Sequence, residues 1–284
     1  MLTPEELRQI RRLHVQAGRK VDSLTAGEYR SAFKGSGMEF EEVRPYVPGD
    51  DVRRIDWNVT ARYEDPFVKE FREERELTMM LVLDVSGSVR FGGGGRDGRT
   101  DKRLQIARVA GGLAYAALRS NDRVGLVRFT DRVEQYLPPR KSRGHGWGVL
   151  RAAFEAASSS QRTDLAKAVA HVNRVLKRKA VVVILSDFLA AGWEEPLAAL
   201  TRRHRVHAFM FGDPLEEKLP PVGLVALQDA ETGAVAWMDA AALRPKVPVE
   251  ERLRALRRLG VRATCVDSRD DAFLKLHQHF RGGR

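Results

Sequence analysis

Cysteine is almost missing from this chain: there is one, Cys265, in 284 residues. A lone thiol closes no intrachain disulfide and builds no zinc site, which fits a reducing compartment. No stretch approaches the roughly 18–20 consecutive apolar residues that a membrane span needs. The opening MLTPEELRQIRR lacks the apolar core of a secretory signal. Together these absences predict a cytoplasmic protein. Lysine is scarce too, 11 against 38 arginines, within a net charge of +11. The arginines run along the whole chain with no block of consecutive like charges. That pattern reads as solvated faces rather than a nucleic-acid footprint. A Gly-Lys-Ser/Thr phosphate loop is absent, so no ATPase activity is expected. Histidines with zinc spacing are absent as well: His204 and His207 beside a strand should face opposite ways, and His277 and His279 should diverge on a helix. What the chain does have is 43% hydrophobic residues, enough for a sizeable core.

Two regions differ in character. Residues 1–76 open with a short amphipathic helix whose apolar stripe is Leu7, Ile10 and Leu13. Pieces punctuated by glycine and proline follow. Val47-Pro48-Gly49-Asp50 has the residues of a type II turn. The segments around Phe40–Val43 and Phe67–Phe71 read as short strands or extended arms. Trp57, Phe67 and Phe71 are expected to be buried, packing this region on the sheet of the next.

Residues 77–284 alternate between strand and helix. Leu77–Val85 and Ala180–Phe188 are near-continuous apolar runs, the pattern of buried central strands. Further strands are predicted over Arg123–Phe129, Val133–Leu137, Arg205–Phe211, Leu224–Leu227, Ala234–Met238 and Val261–Val266. Helices are predicted over Lys102–Arg119, Gly148–Ala157, Asp164–Leu176, Glu194–Thr201, Val249–Leu259 and Asp271–Phe280. This alternation implies an α/β fold: a mostly parallel, Rossmann-like sheet with helices on both faces.

In such sheets ligands gather at the carboxyl ends of the strands. The first apolar strand ends in Asp84-Val85-Ser86-Gly87-Ser88 and the second in Ser186-Asp187, while Thr163-Asp164 directly precedes a helix. Read singly, Thr163 is a helix cap and the serines are turn residues. Taken together, Asp84, Ser86, Ser88, Thr163 and Asp187 offer two carboxylates and three hydroxyls at one rim. The donors are all oxygen, the preference of a hard cation such as Mg²⁺ or Mn²⁺.

Asp-x-Ser-x-Ser, then Thr, then Asp resembles the metal-ion-dependent adhesion site of von Willebrand factor type A domains. The resemblance implies that Ser86, Ser88 and Thr163 ligate Mg²⁺, that Asp84 and Asp187 hold it directly or through water, and that an acidic residue of a partner completes the site. Gln161-Arg162 stand before Thr163, where that family has a glycine. The first region adds Phe33-Lys34-Gly35-Ser36-Gly37, then Arg44-Pro45-Tyr46 running into Pro48-Gly49-Asp50-Asp51, Arg53, Ile55-Asp56-Trp57, Ala61-Arg62 and Val68-Lys69-Glu70-Phe71. These residues are similar to the hallmark of the "domain of unknown function 58" family. That likeness implies a partnership with a MoxR-type AAA+ ATPase in assembling or remodelling other complexes. Arg44, Asp50, Asp51, Arg53, Asp56 and Trp57 themselves read as scaffolding, with arginines pairing carboxylates across a turn.

Other signals look catalytic and are set aside. Gly93-x-Gly95-x-x-Gly98 lies well past the end of the strand it would have to follow directly to bind a dinucleotide. Ser31-x-x-Lys34 lacks the companion motifs of the lactamases. The sequence therefore predicts a non-enzymatic, metal-dependent protein-interaction module. Its alternatives are a basic nucleic-acid-binding protein and a Mg²⁺-dependent phosphohydrolase built on Asp84 and Asp187; the latter chemistry usually asks for more carboxylates and a nearby base.

Overall fold

The structure is a computed structural model that describes residues 38–63, 65–73, 77–91, 100–155, 158–242 and 247–281. The predicted N-terminal helix and the glycine run 92–95 lie outside the described residues. The chain divides into two compact units, Phe33–Leu77 and one that includes Thr78–Arg284.

In the smaller unit, β1 (Met38–Pro45) and β2 (Phe67–Glu73) pair antiparallel. Between them, Asp50 N donates to Val47 O at 3.0 Å and Gly49 takes φ +110°, as a type II turn requires of its third residue. Arg44 closes the turn, Nη1 and Nη2 donating to the two carboxylate oxygens of Asp50 at 2.7 and 2.8 Å. That bidentate pair holds Asp50 well down, at about 2. Asp56 caps the one-turn helix α1 (Trp57–Thr60) by accepting from Asn58 N and Val59 N. Its other oxygen lies 3.2 Å from Lys69 Nζ. The scaffolding role expected of Arg44, Asp50 and Asp56 is thus visible bond by bond. Burial of Trp57 is not: as the first residue of α1 it points outward and is 69% exposed. Phe67 is half-buried, and the side chain of Phe71 lies outside those described.

The larger unit is built on a six-stranded sheet in the order β10-β7-β6-β3-β4-β5. The strands are β3 (Thr78–Asp84), β4 (Arg123–Phe129), β5 (Val133–Arg140), β6 (Val181–Ser186), β7 (Arg205–Gly212) and β10 (Arg262–Asp267). All neighbours run parallel except β4 and β5. Two further strands, β8 (Leu224–Gln228) and β9 (Val235–Asp239), form a separate antiparallel hairpin. One face of the sheet carries α4 (Leu165–Val175), α5 (Glu194–Thr201) and α7 (Val249–Arg258). Leu165, Val169 and Val172 from α4, Leu197 and Leu200 from α5, and Leu253 and Leu256 from α7 join Met80, Val82, Val127, Ile184 and Met210 of the strands in one core. Across the other face lies α2 (Lys102–Arg119), flanked by α3 (Arg143–Phe154) and α8 (Ala272–Arg281). Strands packed on both faces must be apolar throughout, hence the unbroken runs read from the sequence.

Helix α3 and strand β5 depart most from the sequence reading. Helix α3 starts at Arg143, because Ser142 accepts from His145 N at 3.1 Å and caps a segment whose glycines hide it from a propensity reading. Strand β5 continues through Pro138 and Pro139, which an edge position tolerates. Among the described residues, no helix is long and apolar enough to cross a membrane.

Candidate metal centre

The chain leaves β3 for β4 on one side and returns to β6 on the other, so the carboxyl ends of β3 and β6 flank a topological switch point. Asp84, the last residue of β3, is fully buried there. Its Oδ1 accepts from Ser86 N at 3.0 Å and from Ser86 Oγ at 2.6 Å. Its Oδ2 accepts from Ser186 Oγ at 2.6 Å, across the gap between the two strands. Burial, reinforced by the like charge of Asp187, pushes Asp84 up to about 7, against the pull of the two serine hydroxyls. A cation at this rim would favour the ionised form.

Ser86 Oγ lies 3.1 Å from Ser88 Oγ, so the two serines of the turn present adjacent oxygens. Gly87 N between them donates to Gln161 O at 2.8 Å, joining this turn to the loop that carries Thr163. That loop is also tied to the end of β4, through Asp164 N donating to Thr130 O at 2.9 Å. Asp164, not Thr163, caps α4, accepting from Lys167 N. The Thr163 hydroxyl is thereby released from capping, and it donates to Glu231 Oε1 at 2.6 Å.

Asp187 follows β6 by one residue and is equally buried. Its carboxylate lies 3.3 Å from Lys102 Nζ at the start of α2. Lys102 also lies 2.7 Å from Glu216 Oε1 on α6 (Pro214–Glu217). Burial disfavours the ammonium, but Asp187 and Glu216 outweigh it and hold the Lys102 pKa above its usual value. Arg252 Nη1 donates to the Asp187 carbonyl from α7. The next residue, Phe188, adopts φ 55°, a strained left-handed backbone for a bulky side chain. Its ring is held edge-on by Trp193, with centroids 5.5 Å apart.

The structure therefore gathers Asp84, Ser86 and Ser88 in one turn, joins the Thr163 loop to that turn, and sets Asp187 behind them in an ion pair. Among the described residues, no group of three or more His, Cys, Asp and Glu could hold a metal by itself. A cation here would depend on hydroxyl oxygens. The donor set fits a hard ion: each of Ser86 and Thr163 gives its proton to a carboxylate and keeps lone pairs to offer. Sequence reasoning had Ser186 in view but gave it no role, and it missed Lys102, Arg252 and Glu231. Lys102 could be suspected only as a basic residue opening a helix, and Glu231 lies in a turn with no motif of its own.

Comparison with known proteins gives a family match over residues 42–255, described as "Protein of unknown function DUF58". An uncharacterized protein of Mycobacterium tuberculosis is 36% identical over 235 residues, covering 82% of this chain and 73% of that one. A second, from Mycobacterium avium, is 41% identical over 100 residues, covering 34% and 59%. Among solved structures, an aerotolerance-related membrane protein from Bacteroides fragilis aligns with TM-score 0.48 and 17% identity over 72% of this chain and 99% of that one. A von Willebrand factor type A protein from Catenulispora acidiphila aligns with TM-score 0.41 and 13% identity over 76% and 43%.

Proposed function

This chain belongs to the DUF58 family, and we propose that it is a non-enzymatic protein-interaction module that holds Mg²⁺ at the β3–β6 rim and captures an acidic residue of a partner. The reading is carried by one observation: Asp84 is buried with one oxygen bonded by Ser86 of the turn after β3 and the other by Ser186 of β6, beside adjacent Ser86 and Ser88 hydroxyls. Of the two buried carboxylates in this preorganised, hydroxyl-rich arrangement, Asp187 is engaged by Lys102, whereas hydrolytic metal sites draw on several carboxylates. The bound ion would supply a partly dehydrated positive charge. Ser86, Ser88 and Thr163 would offer it oxygen lone pairs. Asp84 would supply the balancing charge, and Asp187, paired with Lys102, would sit behind as a neutralised support. A neutral-oxygen shell leaves the ion electrophilic and so favours an incoming carboxylate.

The partner we favour is a MoxR-type AAA+ ATPase, acting with this chain in assembling or remodelling other complexes. The likeness of the Arg44–Trp57 segment to its family supports that choice. The test uses purified protein and the MoxR-type ATPase of the same cell. Binding should be strong in Mg²⁺ and weak in EDTA, and Asp84→Ala, Ser86→Ala and Thr163→Ala should each mimic EDTA while remaining folded. Equal affinity of folded Asp84→Ala and wild type under both conditions would place the interface elsewhere.

A further inference from the structure

The β8–β9 hairpin reaches the rim through its tip. Residues Asp229 to Gly233 form a turn that bonds to itself: Asp229 Oδ1 accepts from Glu231 N at 3.0 Å, Thr232 N at 2.7 Å and Thr232 Oγ1 at 2.8 Å. Asp229 N donates to Ala234 O, and Gly233 N to Asp229 O, closing the base of the turn. The tip is seated directly on the serine turn. A Cβ built on Gly87 would fall 2.2 Å from Ala230 O and 3.0 Å from Gln161 O, so only glycine permits the approach. The next residue, Glu231, is half-buried and accepts the only proton of the Thr163 hydroxyl at 2.6 Å. A hydroxyl that donates outward in this way keeps its oxygen lone pairs for a cation.

Thus a rigid turn, locked onto the loop between Ser86 and Ser88, holds a carboxylate against one of the rim hydroxyls. We propose that Glu231 is a built-in ligand of the rim cation, filling in cis the position that a partner's acidic residue would take. The proposal rests on the metal-binding reading above and adds to it: the hairpin and the partner compete for one coordination position, and the protein is held closed until the hairpin yields. A carboxylate is the chemistry that both must present, since it bonds the Thr163 hydroxyl and balances the ion.

Mn²⁺ serves as a paramagnetic probe, with affinity read by calorimetry and bound water counted by ¹⁷O relaxation. Glu231→Ala should weaken Mn²⁺ binding by about ten-fold or more, in the range that supporting ligands command. It should also add about one water to the bound ion. Added acetate should displace that water in the variant and leave wild type unaffected. The site is on an exposed hairpin, so folding is checked by circular dichroism, and Glu231→Gln provides a second variant that keeps the side-chain shape. If Asp84→Ala abolishes Mn²⁺ binding while Glu231→Ala changes neither affinity nor hydration, Glu231 is not a ligand and the rim site stands without it. Weaker binding with unchanged hydration would likewise overturn the ligand role and leave Glu231 only orienting Thr163. Unchanged Mn²⁺ affinity in Asp84→Ala would instead remove the rim site itself.

Discussion

Lys102 Nζ and Asp187 Oδ2 lie 3.3 Å apart with both side chains only 1% exposed. Glu216 Oε1, 2.7 Å from the same ammonium on a partly exposed side chain, completes a triad of one cation and two carboxylates. Its members come from three separate elements, so it fixes the start of α2 and the α6 turn against the end of β6. Because Lys102 and Asp187 are shielded from water, removing the ammonium leaves the Asp187 carboxylate buried without its ion pair. Lys102→Met should therefore destabilise the protein by about 3–5 kcal/mol, read by urea denaturation. A loss below 1 kcal/mol would mean that the carboxylates find other partners.

Gly87 makes a second, independent prediction. Its missing Cβ leaves room for the Ala230 carbonyl, so Gly87→Ala must push the hairpin tip away. Overpacking of this kind costs about 1–3 kcal/mol. The loss should be local: amide hydrogen exchange should accelerate at residues 229–232 while the amides of β3 and β6 stay protected.

In the proposed metal site Asp84 supplies the charge that balances the ion. Millimolar Mg²⁺ should raise the melting temperature of wild type, since an ion that binds only the folded state stabilises it by mass action. Asp84→Ala should show no such shift. Equal shifts in the two proteins would dissociate Mg²⁺ from this rim.

A pH dependence follows from the far side of the sheet. His207 Nδ1 and His279 Nε2 are 2.8 Å apart, and His279 Nδ1 is 2.7 Å from Thr264 Oγ1. Burial first, then nearby arginines, pull His207 down to about 3; burial and the neighbouring His207 hold His279 well below its usual value too. Both rings are neutral when folded, while in the unfolded chain they take up protons near pH 6.5. Between about pH 6.5 and 3 the unfolded state binds more protons, so stability falls as the pH is lowered through that window. Denaturation midpoints measured from pH 7 to 4 should fall more steeply in wild type than in His207→Asn/His279→Asn. Parallel slopes would show that the pair does not titrate on unfolding.

Much of the larger unit was legible in the sequence because its strands are buried on both faces. The runs Leu81–Leu83 and Val181–Leu185 admit no polar residue and announce central strands. Helix α2 runs over the residues predicted for it, and the structure adds its cap, Asp101 accepting from Leu104 N. The rim carboxylate and hydroxyls were legible because short turns after strands fix where such residues fall. The remaining site residues depend on encounters distant in sequence: Lys102 meets Asp187 across 85 positions, and Thr163 meets Glu231 across 68. The His207–His279 contact is hidden in the same way, since spacing rules see only neighbours on one element. Trp57 misled for the opposite reason. Its size suggested an anchor, but the Asp56 cap sets the start of α1 and turns that side chain to solvent.

The two prolines near the end of β5 also decide how this protein can be approached. Proline carries no N–H, so neither Pro138 nor Pro139, where the register of β5 against β4 shifts, can donate to a strand laid along this edge. The outer margin is therefore interrupted where an extended peptide would need an unbroken row of bonds. Growth of the sheet by an added strand is blocked there, which guards against edge-to-edge polymerisation. It also denies a partner the simplest backbone-only handhold on that flank. Recognition by side chains at the carboxyl ends of the strands then becomes the more selective route, open to partners that bring the right chemistry rather than to any chain that can lie flat.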